Sequence, residues 1–434
     1  MKRDASGRYS RSVGECNLPQ YFGHRRQSEQ VRMPQQVFPQ RWRILALLFL
    51  VRMTMAIQFQ MVAALSPVIE DAFAVSLADV GILIGLYFAP GIFIAAPGGA
   101  LGRYFGEKQV VLAGLGFMLI GGVMMTVSGD WSMQLLGRVL SGVGGVFLNV
   151  LLTKMVSDWF AGREISLAMA VFVNSWPVGI AVALIGLPVV AVSGGLTLAM
   201  GLVTGLIAVA LLGLWAMYRA PRDRAQSALA RSGSVRGALL WAVLVSGAIW
   251  GLYNAALAIV FSFGPQLFVS RGMGLAEAGS VTSIVLWCLA IMGPIAGTLA
   301  DRSGRRLQII ALGNLSFAFF VVLSSVIGNS VACVVAIGLS SGVAVGAMVS
   351  LPSLILPPAS RSLGMGLFFT VYYVCIAAGP MVAGQVSERV TLAATFQLAA
   401  VLLVITVGLL PLFHWLSAKV SAGSALEGAK AKLV

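Results

Sequence analysis

The chain has 434 residues, of which 59% are hydrophobic and only 10% charged, and its mean hydropathy is +0.93. Soluble domains carry about 25% charge, so a water-soluble enzyme or binding module is excluded at the outset. The net charge of +14 would suit a nucleic-acid partner, but the placement of the basic residues accounts for it without one.

In chain order, residues 1–42 come first, polar and rich in arginine. They have neither an apolar core nor a small-residue cleavage site, so they are not read as a signal peptide. Their Ser, Gln, Arg and Pro content predicts a disordered basic tail. Twelve apolar stretches follow, at 43–68, 76–101, 107–127, 131–156, 164–191, 195–218, 237–269, 275–300, 307–327, 330–357, 363–388 and 391–417. Each is long enough to cross hydrocarbon as a helix, which takes about 20 residues. A barrel would need alternating segments of about ten residues. The expected fold class is therefore an all-α membrane protein with twelve transmembrane helices.

Arg41, Arg43, Arg103, Lys108, Arg163, Arg219, Arg222, Arg224, Arg231, Arg236, Arg302, Arg305, Arg306 and Arg361 fall in the tail or in loops of one parity. Loops of the other parity hold Glu70, Asp71, Asp79, Asp130, Glu277 and Glu388, with Arg271 and Arg389 as their basic residues. The positive-inside rule places both termini in the cytoplasm, in what is expected to be a bacterial inner membrane. The domains so predicted are a tail (1–42), a six-helix bundle (43–218), a cytoplasmic linker (219–236), a second bundle (237–417) and a C-terminal tail (418–434).

The two bundles repeat one another. Gly99-Ala100-Leu101-Gly102-Arg103-Tyr104-Phe105-Gly106-Glu107-Lys108 recurs as Gly297-Thr298-Leu299-Ala300-Asp301-Arg302-Ser303-Gly304-Arg305-Arg306, 198 residues later. Leu77–Gly81 maps onto Leu275–Gly279 at the same offset. A constant offset along the chain marks an internal duplication.

The second signature resembles the loop motif of the major facilitator superfamily, and Arg138-Val139-Leu140-Ser141-Gly142-Val143-Gly144-Gly145 is similar to that superfamily's fourth-helix motif. Phe59-Gln60, Asp158-Trp159-Phe160 and Asn174-Ser175-Trp176-Pro177 look most like bacterial porters near the cyanate and nitrate/nitrite carriers. The resemblance implies two pseudo-symmetric six-helix bundles and secondary transport by rocker-switch alternating access. It also implies conformational gating by Gly99, Arg103, Glu107, Arg138, Gly297, Asp301, Arg302, Gly304 and Arg305. The first copy has Arg103 where the second has Asp301, so the acid's role passes to Glu107. The competing reading of both loops is that their charges only set topology.

Charge inside the hydrocarbon points to a site. Arg52 lies deep in the first stretch, too far in to reach water without cost. Its counterpart in the duplicate is Trp250, with Tyr253 and Asn254 on the same helical face. Together with Gln60, Asn174 and Tyr372 these are the candidate substrate-binding residues. The alternative for Arg52 is a structural role on carbonyls of a neighbouring helix. Asn149, Trp287 and Tyr373 are read equally as cavity lining or packing, and Lys154 as a side chain snorkelling to the helix end.

Acids sit at the ends of the stretches and not in their middles. An interior positive charge favours a small anion as cargo, moved by uniport, exchange or with a proton. The alternatives are a proton-coupled exporter of drugs or metabolites, or a transporter-like membrane sensor. Two histidines, and Cys16, Cys288, Cys333 and Cys375 scattered along the chain, give no metal or disulfide spacing. No enzyme activity, cofactor, metal or nucleic-acid partner is expected. The expected partners are a small-molecule substrate and the lipid bilayer, around a monomer.

Overall fold

The computed structural model describes residues 37–160, 164–220, 235–328, 330–357 and 360–431. Most of the expected N-terminal tail, Arg163 and residues 221–234 of the central connection lie outside the described residues. Residues Arg41–Val434 form one compact unit by their contacts.

All regular structure among the described residues is helical: α1 (Val37–Ala64), α2 (Ser66–Phe73), α3 (Leu77–Leu86), α4 (Gly91–Phe105), α5 (Glu107–Val127), α6 (Trp131–Trp159), α7 (Ile165–Val173) and α8 (Ser175–Met217) in the first half. The second half holds α9 (Gly237–Ser270), α10 (Leu275–Ser303), α11 (Arg306–Ile327), α12 (Val331–Val349), α13 (Leu351–Ile355), α14 (Arg361–Arg389) and α15 (Leu392–Ala431). Boundaries follow local chemistry. Ser76 and Asp79 form a reciprocal capping box before α3, and the Asp130 and Ser330 side chains cap α6 and α12. Gly304 ends α10 in the left-handed conformation (φ 67°). α15 runs on through most of the expected 418–434 tail, because Ala, Lys, Leu and Glu there favour helix.

By length and apolarity eleven helical runs are able to cross a membrane among the described residues, where twelve stretches were expected. The fifth and sixth stretches account for the difference. They are continuous in α8, but Gly195 within it is non-helical (φ 82°, ψ 173°), a conformation open essentially to glycine alone. The chain must reverse there. Arg41 of α1 pairs with Glu164 just ahead of α7, and a Cβ on Gly213 of α8 would touch Leu47 of α1. A straight α8 of 43 residues would span about 65 Å and could not bring both ends back to the start of α1. Lys108 at the start of α5 then holds the end of α8, donating to the Trp215 and Tyr218 carbonyls at 2.8 Å each.

Two other crossings are each made of two helices. α3 and α4 are separated at residues 87–90, where Pro90 has no N–H to offer, and α12 and α13 at Ser350, ahead of Pro352. One face of the bundle therefore carries the start of α1 and the joints α4–α5, α6–α7, α10–α11 and α13–α14. The opposite, far face carries α2 and the joints α5–α6, α9–α10 and α14–α15.

The halves pack together symmetrically at the far face. Gly81 of α3 lies against α14, where an added Cβ would be 2.6 Å from the Pro380 carbonyl. Gly279 of α10, its duplicate, lies against α8 in the same way, 2.1 Å from the Leu184 carbonyl. Small residues let helices approach closely in a membrane, where packing and not water drives association. The repeat seen in the sequence is thus carried into the contacts between halves, as two six-helix bundles related by a pseudo-two-fold axis.

Candidate functional site

Midway along α1, Arg52 is partly buried at the junction of the two halves. Its setting follows from a helix break. Pro177 in the first turn of α8 has no N–H, so it cannot donate to the Val173 carbonyl four residues back. The helix stops at Val173, and Asn174 links α7 to α8. Arg52 Nη1 reaches the carbonyls of Phe172 and Val173, each at 3.3 Å, and the guanidinium lies over the Phe172 ring, 4.8 Å from its centroid. Nη2 donates to Asn149 Oδ1 of α6 at 3.3 Å, while the buried Nε finds no partner among the described residues. These contacts are at the long limit for hydrogen bonds. Arg52 therefore has both a structural attachment and unspent donor capacity.

Asn149 continues the chain of contacts across the molecule. Its Nδ2 donates to the hydroxyl of Tyr373 on α14 at 3.1 Å. Tyr372, next to it, meets Tyr373 edge-on at 5.0 Å and stacks on Trp250 of α9 at 6.4 Å. Trp250 also stacks on Tyr253 at 5.8 Å. From the first half, Phe88 approaches Tyr373 and Phe59 stacks on Trp176 at 5.5 Å. One cationic group from α1 thus looks onto an aromatic wall contributed by both halves.

The candidate residues divide accordingly. Arg52, Trp250 and Tyr372 come together, with Asn174 forming the break beside them. Asn254 is partly buried and donates to the Trp250 carbonyl at 2.7 Å, a bond within its own helix. Tyr253 is buried and its hydroxyl donates away from the cluster, to the Ser341 carbonyl of α12 at 2.9 Å. Gln60 also stands apart: it is fully buried and donates to the Phe261 carbonyl of α9 at 3.1 Å, tying the halves together. In the arrangement seen, Gln60 ties α1 to α9, whereas Tyr253 lays its ring on Trp250 while its hydroxyl holds α12. Asn149 and Tyr373, ambiguous in the sequence, are the residues that connect Arg52 to the opposite half. Polarity and spacing cannot separate a lining residue from a packing one, because both face inward.

Arg138 differs from Arg52. It is wholly buried, and Nε, Nη1 and Nη2 donate to the carbonyls of Leu83, Gln58 and Phe59 at 3.0, 2.8 and 2.6 Å. The Leu83 carbonyl is available because Tyr87 N–H turns to Ile84 and Gly85 at the end of α3. Tyr87 and Phe59 rings flank the guanidinium. Arg138 binds α6 to α1 and α3 of its own half.

The ion pairs seen at the two loop signatures each join residues of one half. Buried Glu107 at the start of α5 pairs with Lys154 of α6, and Lys154 pairs in turn with Asp158 at 3.1 Å. Lys154 is therefore held by two carboxylates, one of them towards the end of its own helix. Asp301 pairs with Arg306 of its own loop at 2.8 Å. Gly304 supplies the turn between them, Arg302 and Arg305 are exposed, and Gly297 packs closely on Gly346 of α12. Asp301, Arg305 and Arg306 line a recess of about 690 Å³ with Leu351, Phe413 and His414. Gly99 and Arg103 belong to α4, and the Arg103 side chain lies outside the described ones.

No group of three or more His, Cys, Asp or Glu able to hold a metal occurs among the described residues. No curated protein matches the chain. A family profile described as Major Facilitator Superfamily matches it twice, over residues 48–274 and 239–433. One match for each half agrees with the duplicated fold and extends over nearly all of the helical region, so the chain belongs to the major facilitator superfamily and is a multi-pass membrane transporter of a small solute.

Proposed function

We propose that this transporter carries a small anion, bound by Arg52 between the two halves and moved by alternating access across a bacterial inner membrane. The observation that carries the reading is the Arg52 guanidinium, unpaired with any carboxylate in its observed contacts and facing aromatic side chains from both halves. A planar guanidinium offers two parallel N–H groups to a carboxylate or oxyanion, and a poorly hydrated setting strengthens that bond. Tyr372 and Trp250 would enclose the rest of the solute.

The close packing at the far face, and ion pairs at the termini-bearing face that each stay within one half, support a rocking motion with the far face shut. The arginine-rich, termini-bearing face is the cytoplasmic one by the positive-inside rule. Asp301, Arg302, Gly304 and Arg305, with Glu107 in the other half, would belong to the gate that forms when that face closes.

The test is uptake of a panel of radiolabelled anions into proteoliposomes, with and without a pH gradient. Arg52→Lys keeps the charge but loses the fork, so affinity should fall about 10-fold or more, and Arg52→Gln should nearly abolish it, in keeping with about 1.5–3 kcal/mol for a hydrogen bond to a charged group. Thermal unfolding of the same variants separates the roles. A purely structural arginine predicts loss of folded protein from both changes. A stable Arg52→Gln protein that binds the anion normally would end the proposal.

A further inference from the structure

At the far face, α2 bridges the first and second crossings of the N-terminal half, and α9 of the other half passes beside it. Gln266 of α9 reaches over and donates through Nε2 to two groups of α2. One is the Ser66 hydroxyl at 2.9 Å and the other is a carboxylate oxygen of Glu70. Ser66 is buried and donates its own proton to the Ala63 carbonyl at 3.1 Å, so its oxygen is oriented to accept. A single amide therefore clips the first turn of α2 to the opposite half. Gln60 on Phe261, about two turns deeper in α1 and α9, makes a second polar tie along the same seam.

Glu70 is partly buried, and burial pushes its carboxyl above the usual carboxylate range; the bond from Gln266 acts in the other direction, and Asp71 raises it further. Among the described residues, the side chains that act on Glu70 are Gln266 and Asp71. α8 carries no ionisable residue, and Asp79 of α3 is engaged with Ser76 in its capping box. Arg271, just past α9, donates to the Ser324 and Ser325 carbonyls of α11 at 3.0 and 2.8 Å. Asp71 is the charged neighbour that acts on Glu70.

We propose that Glu70 is a proton-binding site that latches the far face: with its proton bound, the α2–α9 seam stays shut, and losing the proton lets the halves part. The sign follows from linkage. A carboxyl that holds its proton more tightly in the closed arrangement than in an open, water-filled one stabilises the closed form at low pH and releases it as pH rises. When Glu70 ionises, a charge is left partly desolvated beside Asp71, and opening hydrates it. Gln266 can donate to the carboxyl oxygen in either state, so it aligns the latch while the proton decides its strength.

The latch is testable without knowing the cargo, so its failure is distinct from failure of the anion reading. Gly129 and Gly274 lie in far-face joints of opposite halves, and a side chain at either meets open space. Spin labels at Gly129→Cys and Gly274→Cys, with the four native cysteines replaced by alanine, report the separation in the full-length protein in lipid nanodiscs. From about pH 5 to about pH 8, a range that covers a raised carboxyl, the short-distance population should fall as pH rises. Glu70→Gln should hold it high and abolish its pH dependence. Gln266→Ala should lower the short-distance population at every pH. Wild-type distances that ignore pH, or a Glu70→Gln protein that keeps the wild-type response, would overturn the proposal.

Discussion

Two arginines inside the first bundle show how one residue type comes to serve opposite purposes. Arg138 gives Nε and both terminal nitrogens to backbone carbonyls at 2.6–3.0 Å and is sealed from its surroundings. Arg52 makes longer bonds, remains partly open and has no partner for Nε among the described residues. Cutting off Arg138 strands the Leu83 carbonyl, which Tyr87 N–H does not satisfy, and removes charge-assisted bonds to two carbonyls of α1, each such bond worth about 1.5–3 kcal/mol. Arg138→Leu is therefore expected to lose several kcal/mol and to reduce folded protein sharply in a detergent thermal-unfolding assay. Arg138→Lys, which can reach only part of the same set, should fall between. Unchanged unfolding of Arg138→Leu would show that those carbonyls find other donors.

Among the elements, proline and glycine decide where helices open and where they meet. Pro177 frees the Val173 carbonyl, one of the two that Arg52 holds, so the break in the α7–α8 run and the setting of the candidate site are linked. Gly81 and Gly279 do the converse, allowing α3 to touch α14 and α10 to touch α8. A side chain at 279 would meet the Leu184 carbonyl and Pro188, and neither is a flexible side-chain end able to move aside. Gly279→Val should therefore hold the far face apart while leaving each bundle folded. Increased labelling of a cysteine placed along the α8–α10 contact, with little change in unfolding temperature, is the expected result. Labelling at the wild-type rate would mean that the close approach is not needed for closure.

For the molecule as a whole, the position of the ion pairs matters more than their number. Glu107–Lys154–Asp158 and Arg41–Glu164 lie within the first half, and Asp301–Arg306 within the second. None of these needs to break for the termini-bearing face to open. Asp301 and Arg306 are exposed or partly so, and such a surface pair contributes at most about 1 kcal/mol to stability. Asp301→Asn is accordingly expected to leave unfolding nearly unchanged. If Asp301 finds a second partner when that face closes, the substitution should slow turnover with substrate affinity preserved. A large loss of binding at unchanged conformational exchange would assign Asp301 to the solute instead.

Much of this architecture is written along the chain. Apolar length, the parity of arginines and the 198-residue repeat of the Gly99 and Gly297 signatures specify an all-helical, duplicated membrane protein, because a bilayer requires every crossing to satisfy its own backbone. Arg52 stands out by itself, since charge is costly in hydrocarbon. What the sequence leaves undecided is which inward-facing polar group meets which. Asn149 joins Arg52 to Tyr373, whereas Gln60 and Tyr253, equally polar and equally interior, are spent on the Phe261 and Ser341 carbonyls. Helical periodicity gives the face of a side chain but not the neighbour across the gap. Glu70 and Gln266 lie 196 positions apart, and no local pattern marks them as partners. Only the packing of one half on the other brings that carboxyl beside that amide, and it does so because the glycines at 81 and 279 let the helices of the far face close.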